Sequence, residues 1–352
     1  MNRIMTRRCF TAAAAAGAAV PLCSSGNTEG KKRVFILAGQ SNCGGAGNGD
    51  LLPPACKEPD PRAMIFSKWT KNTWLPIAPY PRTEEKFKIE KSAFGPELGF
   101  GLEMRKAFPN DSVAIIKQAW GGTSVVAWEK NHGTAEYESL MTEAGHILDG
   151  KVMRDPQYPV LLKTIQDGLL QLDSPYEIGG FLWFQAEADT RTDHLAEQWA
   201  KRVVALLENL ADDIGFSKDI PLFVMDSHFP SINDASQRHG QAIVSALMDY
   251  ARTGESPSAE DLQRAAGLGQ LSSAEFSEAF SAVTGKGPWF INHMQRISKM
   301  KRDIRALAAD RPKTTVILVD DLPTYEGVHF NTEGQLEIGK RLLIAFKSMT
   351  LI

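Results

Sequence analysis

The stretch Arg33-Val34-Phe35-Ile36-Leu37-Ala38-Gly39-Gln40-Ser41-Asn42, with Gly44, Gly45 and Gly47 close behind it, decides how the rest of the chain is read. Arg33 to Ala38 form a short, mostly apolar run that ends at a glycine, the pattern of a strand buried on both faces. Similar runs recur at Val113–Ile116, Gly179–Phe184, Pro221–Met225 and Thr315–Val319. Between them, Glu97–Phe108, Leu161–Leu172, His194–Leu210 and Met294–Ala308 place apolar residues three or four apart, the period of a helix. A last helix over Leu336–Phe346 follows Thr332, with Gln335 at capping-box spacing. This alternation predicts an α/β fold: a mostly parallel, five-stranded sheet covered by helices on both faces.

Two regions break the alternation. Residues 50–92 are rich in Pro and Lys, with a hairpin expected around Met64–Pro76. Residues 231–290 hold two or three short helical patterns, among them Glu260–Ala266 and Ala274–Val283, broken by glycines and lacking a strand. They read as a helical insertion after the fourth strand. It is expected to border the functional edge of the sheet, because it leaves from a strand end there.

The chain has 352 residues, 43% of them hydrophobic, enough for a large core. Length alone would suggest two domains of ~150 residues. With residues 1–30 and the insertion set aside, one α/β domain over 31–352 accounts for the rest. The 39 basic and 42 acidic residues leave a net charge of -3, which gives no nucleic-acid footprint. No apolar stretch reaches the ~18 residues of a membrane span. Four cysteines exclude a disulfide scaffold and lack the paired spacing of a zinc site. Residues 1–30 read as an export signal. Arg3, Arg7 and Arg8 precede an alanine-rich run from Thr11 to Leu22, and Thr6-Arg7-Arg8-Cys9-Phe10 looks like a twin-arginine signal. A periplasmic or extracellular bacterial protein is expected. Cys23 is a candidate for lipidation, although Leu22 before it fits such processing poorly.

Ser41 lies just past the end of a buried strand, where ligands bind in open parallel sheets. The glycines after it allow a sharp turn and close approach. The loop is not a phosphate cradle of the Walker type, since no Gly-Lys-Ser/Thr follows. A serine nucleophile needs a base. His329, in Glu326-Gly327-Val328-His329-Phe330-Asn331, follows the last strand, and Glu326 is spaced to orient it. His228, also past a strand end, is the rival. Acyl transfer further needs donors for an oxyanion. Trp120-Gly121-Gly122-Thr123-Ser124 offers backbone N–H groups, and Trp183-Phe184-Gln185-Ala186-Glu187-Ala188-Asp189 offers the Gln185 amide. Each has an ordinary reading as a tight turn or a structural carboxylate; together they put polar residues at one edge of the sheet.

In order, Ala-Gly-Gln-Ser-Asn, Gly95-Pro96-Glu97-Leu98-Gly99-Phe100, Gly-Gly-Thr-Ser with Trp128, Trp-Phe-Gln-Ala-Glu-Ala-Asp and Gly-Val-His-Phe-Asn resemble the sialate O-acetylesterase and acetylxylan esterase group (carbohydrate esterase family 6-like) of the SGNH hydrolases. The resemblance covers about 33–228 and 291–348 and leaves 231–290 without a counterpart. It implies a three-layer, flavodoxin-like α/β/α sandwich and a Ser-His-acid acyl-enzyme mechanism without metal or organic cofactor. The substrate implied is an acetylated glycan, of sialic acid or xylan type. Ser41 matches the nucleophile, His329 the base and Glu326 the acid. The Ser41 N–H, Gly122 and Gln185 match the oxyanion hole, and Gln40, Asn42, Gly121, Thr123, Glu187 and Trp128 are supporting positions. Trp120, Trp128 and Trp289 are candidates to stack on sugar rings. The sequence departs from the group at Glu326, where aspartate is usual, and at Ala186 and Cys43, where glycine and methionine are common. If Glu326 does not serve, Asp321 or Glu187 is the alternative acid. The departures at Glu326 and Ala186 motivate a second reading, a catalytically impaired glycan-binding homologue; an esterase acting on non-sugar esters is a third.

Overall fold

A computed structural model of the chain describes residues 30–81, 92–226, 239–253, 257–284, 288–325 and 328–350. The expected signal over 1–30, including Cys23, lies outside the described residues apart from Gly30, as do His228 and Glu326. In chain order the strands are β1 (Lys32–Gly39), β2 (Gly47–Asn48), β3 (Ala63–Ser67), β4 (Leu75–Pro76), β5 (Ala93–Phe94), β6 (Ser112–Ala119), β7 (Ile147–Leu148), β8 (Lys151–Val152), β9 (Glu177–Phe184), β10 (Leu222–Met225) and β11 (Thr314–Ile317). The helices are α1 (Ser41–Gly44), α2 (Pro96–Ala107), α3 (Ala135–Glu143), α4 (Tyr158–Leu170), α5 (Asp193–Ile214), α6 (Gly240–Thr253), α7 (Ala259–Ala265), α8 (Ser273–Thr284), α9 (Pro288–Asp310) and α10 (Thr332–Thr350).

The apolar run of β1 forms the middle of the sheet. It pairs in parallel with β6 from Lys32↔Ser112 to Gly39↔Ala119, and with β9 on its other side. The full order is β11-β10-β9-β1-β6-β3-β4. The five strands expected from sequence take the 2-1-3-4-5 order of flavodoxin-like folds, so the order reverses at β1 and a crevice opens beyond its carboxyl end. The sheet has seven strands rather than the expected five. The hairpin of residues 63–76 joins it: β3 pairs in parallel with β6, and β4 runs antiparallel at the edge. Ala63, Ile65 and Phe66 of β3 are buried, so this strand extends the core instead of capping it.

Alternate residues of β1 feed two cores. Val34, Ile36 and Ala38 pack with α4, α5 and the second half of α9; Phe35 and Leu37 pack with α2 and α10. Burial of this kind yields about 25 cal/mol per Å2 of apolar surface, which makes the two layers the main source of stability. The insertion forms helices α6, α7 and α8 and the start of α9, with a small core of its own around Ile243, Leu247, Leu262, Phe276 and Ile297. At the start of α10 the capping differs from expectation. Asn331, not Thr332, accepts from the Gly334 N–H, at 3.0 Å. The Thr332 hydroxyl is taken by the backbone of Asn48, and the Gln335 amide is buried without a partner. Among the described residues, no helix is long and apolar enough to cross a membrane.

Candidate active site

The end of β1 is pressed against β9. A Cβ at Gly39 (φ +148°) would lie 2.1 Å from the Phe184 carbonyl oxygen, so only glycine fits. The next residue, Gln40, donates its N–H to that same carbonyl at 2.9 Å. The chain then turns into α1, whose first residue is Ser41. The first N–H groups of a helix have no acceptor within it, which leaves the Ser41 N–H facing the crevice end of the strand. The Ser41 hydroxyl makes no hydrogen bond with the described residues.

The far end of α1 is held from beneath by charge. Lys117 Nζ donates to the Gly44 carbonyl at 3.0 Å and pairs with Glu97 at 2.6 Å. The side chains of the pair are 0% and 1% exposed. The Tyr80 hydroxyl donates to the same Gly44 carbonyl, and the second Glu97 oxygen accepts the Gly95 N–H at the start of α2. Lys117 Nζ also lies 5.0 Å from the Trp69 ring centroid and 5.4 Å from that of Tyr80, so cation–π contacts help offset its desolvation. Cys43, next to this pair, is fully buried, and burial pushes its thiol up to about 12. It is a packing residue, as expected, and far from thiolate chemistry.

The glycine turn after β6 stands beside Ser41. A Cβ built on Gly121 would meet only the Ser41 Cβ, at 3.8 Å; one on Gly122 (φ +69°) would meet only the Arg154 guanidinium, at 3.6 Å. The two glycines therefore floor an open space bounded by Ser41 and Arg154. Neither glycine N–H donates to a described residue. The turn is braced from inside. Asp189, fully buried, accepts from the Ser124 hydroxyl (2.5 Å), the Val125 N–H (3.0 Å) and the Gln185 amide (2.6 Å). Burial pushes Asp189 up to about 6 against these donors. The Ser124 N–H donates to His146 Nε2 at 2.8 Å, so that nitrogen carries no proton. Burial, then Arg191 and Arg154, push His146 down to about 4.

The expected site residues divide accordingly. Gln185 is turned inward, which corrects its expected place in the oxyanion hole. Its two amide protons go to the Thr123 carbonyl and Asp189, and its oxygen accepts from Trp199. Trp128 is likewise interior: it is fully buried, edge-on to Trp183, with its indole N–H on the Thr123 hydroxyl, so it stacks on no sugar. Thr123 is also buried. Trp120 is half-buried beneath Lys68, and the side chain of Trp289 lies outside the description. Gln40 donates to Glu187 at 2.6 Å, and its own oxygen is buried without a partner. Ala186 is buried just after β9. Asp321, the alternative acid, is paired with Arg341.

Asn42 does what the sequence could not specify. Its side chain accepts the Phe330 N–H (3.2 Å) and donates to the Val328 carbonyl (3.3 Å), gripping both neighbours of His329. The Tyr325 N–H donates to the His329 carbonyl, and Thr324 bridges Phe330. His329 is thus carried on a loop fastened to the residue next to the serine. Three residues that sequence reasoning missed, His146, Arg154 and Lys117, had no local signal; their roles arise from contacts between distant segments. A cavity of about 1110 Å3 lies on another side of this loop, lined by residues including Asn48, Leu102, Tyr325, Thr332 and Arg341; it contains neither Ser41 nor the glycine pair. Among the described residues, no His, Cys, Asp and Glu side chains are grouped to hold a metal ion.

The geometry can be set beside known proteins. A comparison with curated proteins finds no match. Among solved structures the chain is similar to a protein from Arabidopsis thaliana, at 18% identity over 90% of this chain and 98% of that one, with a TM-score of 0.51. It is similar also to NanS, at 14% identity over 90% of this chain and 97% of that one, with a TM-score of 0.51. At such identities these likenesses speak to the fold alone. A family model described as carbohydrate esterase, sialic acid-specific acetylesterase matches residues 31–249, more than half of the chain and the whole run from β1 through the glycine turn to β10. The chain belongs to that carbohydrate esterase family.

Proposed function

We propose that the protein removes O-acetyl groups from sugars through an acyl-enzyme formed on Ser41. The observation that carries this reading is the convergence of Ser41, the free N–H groups of Gly121 and Gly122, and the His329 loop fastened by Asn42. His329 takes the Ser41 proton, with Glu326 as the acid that orients it, and the serine oxygen attacks the acetyl carbonyl. The oxyanion rests on the N–H groups of Ser41 and Gly122. Collapse expels the sugar hydroxyl, which takes the proton from His329, and water then hydrolyses the acetyl-enzyme by the same relay in reverse. Ser-His contacts of this kind tighten when substrate binds, so an open serine hydroxyl is compatible with the role. Gln185 supports the hole indirectly, by fixing Asp189 beneath the turn. The basic and alanine-rich residues 1–30 support export as the cellular setting.

Acetate release from p-nitrophenyl acetate and from O-acetylated sugars is expected, with Ser41→Ala lowering kcat at least ~1000-fold. An inactive wild type that binds glycans would replace this reading with that of a binding homologue. Preference for long acyl chains would replace it with that of a non-sugar esterase.

A further inference from the structure

The short 3-10 turn over Glu187–Arg191 follows β9 and leads into α5. It carries two of the contacts on which the site depends. Glu187 accepts from the amide of Gln40, the residue before Ser41, at 2.6 Å. Asp189 accepts from the Ser124 hydroxyl and the Val125 N–H inside the glycine turn. A 3-10 turn is short and its hydrogen bonds are poorly aligned, so its register depends on what fastens it from outside. One fastening is Arg191, whose guanidinium donates to the Ala144 carbonyl at the end of α3. Another is Arg296. Its Nη1 donates to the Arg191 carbonyl at 3.0 Å and reaches the Thr190 carbonyl at 3.4 Å; its Nε donates to Asp193, the first residue of α5, at 2.8 Å. The last carbonyls of a helical turn have no donor within it, and a cation there meets the negative end of the turn. The Asp193 carboxylate is 78% exposed, so the ion pair itself contributes little and the carbonyl bonds do the fastening. The helix that bears Arg296 is held on two sides: Ile297 is buried in the insertion's core, and Met300 against the sheet.

We propose that Arg296 is a positioning residue for the esterase reaction. It holds the Glu187–Arg191 turn so that Asp189 stays under the Gly121–Gly122 turn and Glu187 stays on Gln40, which keeps the oxyanion donors aligned with Ser41. Arg296 acts through these residues and not on the substrate. This rests on the esterase reading and deepens it: the helix that α6, α7 and α8 pack around takes part in setting the rate of the chemical step.

The test uses the full chain with p-nitrophenyl acetate and with an O-acetylated sugar. Arg296→Ala should lower kcat about 10- to 100-fold on both, the scale of a small misplacement of catalytic donors, with KM within about twofold. Its circular dichroism should stay that of the wild type at the assay temperature. Arg296→Lys, which keeps a cation with several donors, should restore part of the rate. Guanidinium at millimolar concentrations, too dilute to unfold the chain, should also raise kcat of Arg296→Ala, while equal sodium chloride should not. An Arg296→Ala enzyme with the wild-type kcat overturns the proposal. So does a change confined to KM, a loss of kcat that tracks a loss of folded protein, or one that neither lysine nor guanidinium relieves. If Arg296→Ala does not fold, Arg296→Gln, which keeps a donor without the charge, carries the same test: a lowered kcat with unchanged KM supports the proposal, and a wild-type kcat overturns it. Failure of the wild type to hydrolyse even p-nitrophenyl acetate would instead strike the esterase reading itself.

Discussion

On one side of the cleft, the serine and glycine turns hang on buried groups: the Lys117–Glu97 pair under α1, and Asp189, Gln185 and His146 under Gly121–Gly122. On the other side, the contacts described for the loop that carries His329 are a carboxamide, Asn42, gripping the residues on either side of the histidine, and the Asn48 backbone on Thr332 at the loop's end. The first side has its donors fixed before substrate arrives, which is what stabilising a developing oxyanion requires. In the proposed mechanism the second side holds the group that exchanges a proton with two different partners in succession.

The largest effect expected from breaking this contrast is on the rigid side. Lys117→Met strands the Glu97 carboxylate in the core and should destabilise the fold by about 3–5 kcal/mol in urea titrations. The double variant Lys117→Met/Glu97→Leu should recover much of that loss. A single variant as stable as wild type would mean that the pair does not hold α1.

Next comes acidity. Unfolded His146 takes its proton near 6.5, but the folded one not until about 4. Between those values the unfolded chain binds the extra proton, so acid weakens the fold through this group. Asp189 acts in the opposite sense. Its folded value of about 6 lies above the usual 3.8, so its contribution is complete below 3.8 and is lost as pH rises through 6. The two slopes oppose each other between pH 4 and 6. His146→Asn removes only the first while keeping an acceptor for Ser124. Relative to wild type, it should therefore gain as pH falls from 7 to 4.5, by up to about 3 kcal/mol, in paired thermal melts. A constant difference across that range would show that His146 is not held neutral.

The smallest effect belongs to the light side. Asn42→Ala removes two hydrogen bonds from the His329 loop and should lower kcat about 10- to 100-fold, with little change in KM and a smaller stability loss than Lys117→Met. Equal loss of activity and of fold would erase the distinction between the two sides.

The central strands and Ser41 could be read directly, because a buried run ending in glycine is a local signal. The position of His329, between the last strand and the last helix, could be read as well. The direction of Gln185 could not. A glutamine after a strand looks the same whether it faces substrate or Asp189, and the choice depends on Trp199 and Thr123 arriving from two other segments and on the turn that brings Asp189 back onto it. Arg154 follows the minor β7–β8 hairpin and has no periodic neighbours to announce it. The hairpin at 63–76 was legible as a hairpin, but its pairing with β6 was not, since pairing between strands far apart in sequence leaves no trace in either one alone.

Helix α9 belongs to two cores at once. Ile297 lies in the insertion's cluster, and a turn later Met300, Ile304 and Leu307 lie in the cluster against the sheet. Near the crossover, Arg296 reaches Asp193 and the Thr190 and Arg191 carbonyls beside the site. An excision that followed the 231–290 boundary would therefore cut into a shared beam, leaving its apolar stripe without one of its walls. For anyone trimming or grafting this insertion, the seam runs ahead of Pro288, and the segment behind it travels with the sheet.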